Sequence, residues 1–328
     1  MKRNKRRMPA EWEPQSAVQL TWPHEGTDWA PILPEITAVY EEMAREISKR
    51  ESLIIVDDIP HNDTWARDHG FITVEETSDL SPQTSDLILL DFKFNGWGEK
   101  FPADLDNQIN KQLFDKGLVK GVYEDHLDFV LEGGSIESDG KGTVFTTACC
   151  LLAPHRNQPL TAQQIEDRLK EYLGAERIVW LHHGSLIGDD TDGHIDTLVR
   201  ICPDDTLLYT GGDEAHPDLY EMEHELQTLR TIEGKPYRLL KLPLPRPIYD
   251  TTAISHQPSA INRLPATYAN YLVINGAVLV PTYNQPDLDQ EAMHVIQQAF
   301  PDREIVGIDC RAVIKQHGSL HCCTMQYY

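Results

Sequence analysis

Five times along this chain an amphipathic helix is followed by a short break and then a compact apolar strand, and that recurrence limits the fold more than any other feature. ITAVYEEMAREISKR places Ile36, Tyr40, Met43 and Ile47 on one face and leads to LIIV at 53–56. NQINKQLFDKG precedes HLDFVL, which ends at Leu131. Thr161 and Gln164 spell a capping box; Ile165, Leu169 and Leu173 form the apolar stripe, and Gly174 can stop the helix before RIVWL. LYEMEHELQTLRTI is followed by YRLLKLPL, and LDQEAMHVIQQAF by EIVGID. Such alternation ordinarily argues for a parallel, doubly wound sheet. Hairpin-like stretches such as SIESDGKGTVFTT, with Asp139-Gly140 and Gly142 at the turn, add an antiparallel strand. Repeats too small to bury their own faces associate around a common axis. The expectation is an α/β fold: a five-bladed α/β propeller of ββαβ-like units, forming a single domain over residues 1–328.

Bulk properties narrow the function. With 328 residues the chain can bury a full core, and no apolar run approaches the length of a bilayer span. The start, MKRNKRRMPAEW, is basic but has no apolar stretch behind it, so it does not read as a secretory signal. Cys149-Cys150 and Cys322-Cys323 are adjacent pairs, with Cys202 and Cys310 alone; neighbours bridge poorly, and a reducing cytoplasm is the expected location. Acids outnumber bases 52 to 29, for a formal charge of −23. That balance argues against a nucleic-acid partner and favours a cationic small molecule.

The polar residues that follow the strands carry the chemistry. Asp68 lies in NDTWARDHG, Glu132 in LEGGS, His194 in GDDTDGHID and Cys322 in HGSLHCCT. They recur at nearly even spacing, with one step doubled across the fourth copy near LPLPRPIYDTT. In a ring of repeats, equivalent places converge on the axis. GDDTDGHID is not an EF-hand loop: aligned on Gly193 it would begin at Gly188 and end at Val199, which supply no side-chain oxygens. His194 and Asp196 share a face if that segment is extended, and a histidine beside carboxylates suits a general acid. Cys322, with Gly318, Ser319 and His321 around it, is the candidate nucleophile; strand alternation would point Cys323 the other way. A zinc site of His194, Asp196 and Cys322 lacks a dedicated ligand cluster, and neither a metal nor a cofactor is expected. Trp65 and Trp97 are packing residues or stack on a cation. One thiol, one histidine and several acids suit a guanidinium: carboxylates hold its plane, and a thiolate adds to its carbon. A non-catalytic binder of polyamines or cationic peptides is the reading from another class.

These motifs resemble the agmatine deiminase family, related to the porphyromonad-type peptidylarginine deiminases within the guanidino-group-modifying (pentein) propellers. MPAEWEPQSAVQLTWPH, NDTWARDHG, FNGWGEKF, LEGGSIESDG, DDTDGHID, NGAVLVPTYNQPD and GSLHCCTMQ carry the likeness across nearly the whole chain. The resemblance implies Cys322 as nucleophile, His194 as acid and base, and Asp68 and Asp196 as the grip on the guanidinium. It implies Glu132 at the reaction centre, Trp65 beside the channel and Asp190 near the far amine. The implied reaction is hydrolysis of agmatine to N-carbamoylputrescine and ammonia, a step toward putrescine, by a homodimer. Arginine, free or in a peptide, is the alternative substrate, with Arg246 as candidate partner for its carboxylate. Two departures stand out. DDIPH is nearly all that separates LIIV from NDTWARD, where relatives carry more chain, and Asp190 stands where agmatine users often have a longer acid.

Overall fold

A computed structural model of the chain describes residues 5–78, 81–250 and 262–328. Within it, five sheets repeat one connection: an antiparallel pair, then a helix, then a strand parallel to the middle one. In the first unit Ala17–Thr21 is the middle strand. It runs antiparallel to Thr324–Tyr327 and parallel to Ser52–Val56, with helix Leu33–Ser48 between them in sequence. The C-terminal strand therefore completes the sheet that the N-terminal segment begins. The second unit joins Ile72–Ser78, Ser81–Lys93 and Val122–Val130 around helix Ile109–Asp115, with Lys5–Arg7 added at its edge. The third joins Ile136–Ser138, Thr143–Thr147 and Arg177–Leu181 around helix Ala162–Leu173. Val199–Cys202, Thr206–Thr210 and Arg238–Leu242 with helix Pro217–Thr228 make the fourth. Leu272–Ile274, Ala277–Thr282 and Glu304–Asp309 with helix Pro286–Ala299 make the fifth.

Burial follows position in the sheet. The middle strands AVQLT, TVFTT and TLLYT are buried at every residue, as sequences covered on both faces should be. The last strands SLIIV and RLLKL lie at an edge and are mostly half-buried or exposed. Helix Ala162–Leu173 carries the anticipated capping box at Thr161 and Gln164, with Ile165, Leu169 and Leu173 buried. Gly174 ends it at φ 68°, where an added Cβ would sit 2.3 Å from the Arg6 carbonyl oxygen, so only glycine fits. The 135–147 hairpin forms with Gly140 at φ 69° and Gly142 at φ 102°.

The expected helices are present, but several begin or end elsewhere. Pro34, Pro217 and Pro286 allow helical starts two or three residues before the apolar stripes, because proline costs nothing in the first turn. NQINKQLFDKG is helical only over Ile109–Asp115, after a 3-10 turn at Asp106–Gln108. The skipped fourth copy, near LPLPRPIYDTT at 242–252, is described up to Asp250, and its last two residues lie outside the described residues. No helix among those described is long and apolar enough to cross a membrane.

Candidate active site

The junctions between units, from the last strand of one sheet to the first of the next, carry the candidate residues, four of them on short helical turns just before the next unit's first strand or hairpin. Asp68 lies in the turn Ala66–His69, Glu132 caps Gly133–Ser135, His194 caps Ile195–Thr197 with Asp196 inside it, and Cys322 lies in His321–Cys323. Two local expectations are thereby corrected. His194 and Asp196 are not in an extended segment, and the two cysteines are not on a strand; both pairs sit on 3-10 turns. The fourth junction was missed in the sequence because no ionisable residue marks it. It carries Asn270, two residues before Leu272–Ile274, just as Cys322 stands two residues before Thr324–Tyr327.

These junction residues converge. A Cβ on Gly134 would lie 2.6 Å from His194 Nδ1, 3.0 Å from Asp68 Oδ1 and 3.1 Å from Asp196 Oδ2. Imidazole and two carboxylates thus wall one gap that only a glycine leaves open. Asp68 Oδ1 also accepts from Gly134 N at 3.2 Å and sits 3.6 Å from His194 Nδ1; its Oδ2 accepts from Trp97 Nε1 at 3.0 Å. The Cys322 thiol donates to Asn270 Oδ1 at 3.4 Å and lies 3.9 Å from Asp196 Oδ2. Cys323 turns away, to the Ser319 carbonyl at 3.5 Å. His321 does not serve the neighbouring thiol. Its Nδ1 meets Asp196 Oδ2 at 2.8 Å and its Nε2 meets Glu11 Oε2 at 3.1 Å. Arg67 does not pair with Asp68 but donates to Gln326. Glu132 is fully buried, with Oε1 held by Arg156 Nε at 2.8 Å.

The loop GDDTDGHID divides its acids by task. Asp189 binds the loop's own Thr191 and Gly193, and Asp192 pairs with Arg156 at 2.7 Å and Lys100 at 2.8 Å. Asp196 turns inward to His321, and Asp190 lines a cavity of about 200 Å³. That cavity is also lined by Trp65, Asp68, Trp97, Asp63 and Cys322, so a thiol, carboxylates and indoles share one lining. No lysine or arginine lines it among the described residues. His194, Asp196 and Glu132 stand behind this lining, one layer deeper. Arg246 is elsewhere: it is exposed, pairs with Asp287 at 2.6 Å, and borders a different groove.

Burial and charge set the protonation of the cluster. Burial pushes Asp68 up to about 6; the charge of His194 opposes this, and those of Asp196 and Glu132 add to it. Burial works against an imidazolium at His194, yet Asp68, Glu132 and Asp196 outweigh it and hold its pKa above the usual value. Burial would likewise raise Asp196, but the hydrogen bond and charge of His321 keep it below the ordinary range. Burial drives the Cys322 thiol well up, and the charges of Asp196 and Asp68 push the same way. Asp190 is raised to about 6, mainly by burial.

A buried thiol, an imidazole and ionisable carboxylates at the foot of a cation-attracting cavity, on an α/β frame of repeated sheets, place the chain among enzymes acting on a guanidino group. The agmatine deiminase of Medicago truncatula is 32% identical over 97% of this chain and 95% of its own. Among solved structures, a putative arginine deiminase from Porphyromonas gingivalis is 47% identical, with a TM-score of 0.88 and 98% of each chain covered. A cysteine-to-serine variant of C. jejuni agmatine deiminase with substrate bound is 34% identical, with a TM-score of 0.88, covering 100% of this chain and 98% of its own. The chain belongs to the Porphyromonas-type peptidyl-arginine deiminase family, whose model matches residues 7–327.

Proposed function

We propose that this enzyme hydrolyses agmatine to N-carbamoylputrescine and ammonia, in the direction of putrescine, through a covalent intermediate on Cys322. The observation that carries this reading is the cavity's chemistry: the Cys322 thiol, Asp68 and Asp190 line it together, and no lysine or arginine among the described residues lines it to meet a substrate carboxylate. Asp68 and Asp196 grip the guanidinium. Trp65 and Trp97 flank it, Trp97 also fixing Asp68, and Asp190 faces the distal ammonium. The five units are arranged about a pseudo-fivefold axis as one catalytic domain, closed by Thr324–Tyr327 on Ala17–Thr21, and the enzyme works in the cytoplasm as a homodimer.

The chemistry follows from the charges. In the ligand-free site the carboxylates that attract a cation also keep Cys322 a thiol. A docked guanidinium neutralises them, so the thiol's proton can pass to His194, whose neighbouring acids favour the imidazolium. The thiolate adds to the guanidinium carbon, His194 protonates the departing ammonia, and an S-alkylthiouronium remains on sulfur. Water then attacks the same carbon as His194 takes one of its protons, and the C–S bond breaks to give the urea, the second water proton returning to sulfur to restore the thiol. Glu132, against His194 and anchored by Arg156, steadies the imidazolium. A relative captured with substrate after a cysteine became serine supports a cysteine-dependent turnover.

The family's name and the P. gingivalis relative favour a second reading, deimination of arginine, free or in peptides. An ammonia-release panel with agmatine, free arginine and arginyl peptides separates the two. Agmatine should be turned over far faster than the others; a preference for arginine or its peptides would overturn the agmatine reading.

A further inference from the structure

Behind the reacting face lies a set of donors that the proposed chemistry does not need together. Glu132, Cys150 and His194 come from three segments, and each offers one ligand atom within 4.8 Å of the other two. All three residues are fully buried. Glu132 Oε2 has no hydrogen-bond partner, nor does either ring nitrogen of His194. Buried polar atoms normally find hydrogen-bond partners, so an oxygen and an imidazole that lack them beside a sulfur suggest a ligand that takes all three.

We infer that Glu132, Cys150 and His194 bind a zinc ion, and that this ion switches the enzyme off. One thiolate, one imidazole and one carboxylate suit zinc, with water as fourth ligand. In a tetrahedral zinc site neighbouring ligand atoms stand about 3.5 Å apart, so the three side chains close in by about 1 Å. Arg156 repels a cation, but it is committed to Oε1 of Glu132 at 2.8 Å, to Asp192 and to the Thr191 carbonyl. It therefore holds the glutamate in place with Oε2 left to ligate. Cys150 gives up its proton on binding, and glutamate and thiolate together balance the ion's two charges. Asp68, beside His194, lines the 200 Å³ cavity and marks the way in. A metal-bound imidazole can neither protonate ammonia nor activate water. The inhibitory consequence rests on the proposed function; the binding does not.

Zinc titration calorimetry on the full chain, after stripping with EDTA, is paired with ammonia release from agmatine. Wild type should bind one zinc per chain and lose turnover, and EDTA should restore it. Cys150→Ser should bind zinc at least tenfold more weakly while still releasing ammonia in its presence, and Cys322→Ser should bind zinc like wild type. Cobalt on wild type should show a thiolate charge-transfer band that persists in Cys322→Ser; this readout survives a Cys150 variant that fails to fold. Undiminished binding by a folded Cys150→Ser, binding lost in Cys322→Ser, or no thiolate band with cobalt would overturn the inference. A chain that binds zinc through Cys150 but never releases ammonia would instead overturn the proposed function alone.

Discussion

At Cys322 the carboxylates that would draw in a cation are also the ones that oppose its thiolate, so the proposed nucleophile and the substrate's charge are coupled. Replacing Cys322 with alanine should cut ammonia release by about 10³-fold or more while leaving cation binding, read by calorimetry with agmatine, intact. His321 acts through Asp196, which it orients at 2.8 Å and keeps ionised. His321→Gln should therefore raise KM for agmatine by roughly tenfold, with a smaller change in kcat. Asp68 must be ionised to hold a guanidinium, and its pKa stands at about 6. Below that pH the carboxyl is protonated and the grip is lost, so kcat/KM should fall as pH drops through 6; a flat profile from pH 8 to 5 would contradict this assignment.

At the scale of elements, what repeats was legible and what joins the repeats was not. Helix Ala162–Leu173 announces itself through Thr161, Gln164, a 3.6-residue stripe and Gly174, because each signal is local. Its stability should respond locally too. Thr161→Ala should cost about 1 kcal/mol and Leu169→Ala about 2–5 kcal/mol, measured by denaturant unfolding. The junction turns have no such signature. A three-residue turn such as His321–Cys323 is too short for periodicity and is held by partners far away in sequence, among them Asn270. Cys322 and His194 were singled out for their chemistry, Asn270 was not, and only its place before a first strand gives it away. Arg156 was hidden for the same reason: its partners Glu132 and Asp192 are brought to it by the fold.

Over the whole molecule, the N-terminal and C-terminal segments meet in one sheet, Ala17–Thr21 beside Thr324–Tyr327, and Arg200 ties further stretches together. That buried guanidinium donates to Glu11, Glu137 and the carbonyls of Ala269 and Tyr271, and so links four stretches of chain behind His321. The interior also stores carboxyls raised by burial: Asp63 to about 7, Asp68 and Asp106 to about 6. A carboxyl raised in the folded state favours folding fully below its unfolded pKa, and that contribution is lost as pH rises through its folded value. Between pH 5 and 8 the ligand-free protein loses this contribution, and a cation bound among the carboxylates offsets the loss at Asp68. The rise in melting temperature that agmatine gives to Cys322→Ala should therefore be larger at pH 8 than at pH 5.

Peptide mapping by mass spectrometry of the enzyme quenched in acid during agmatine turnover reads the covalent step itself. A thiouronium adduct confined to the Cys322 peptide, and absent when Cys322 is alanine, is the predicted result. Ammonia release that continues at a normal rate in Cys322→Ala would contradict the mechanism at its root.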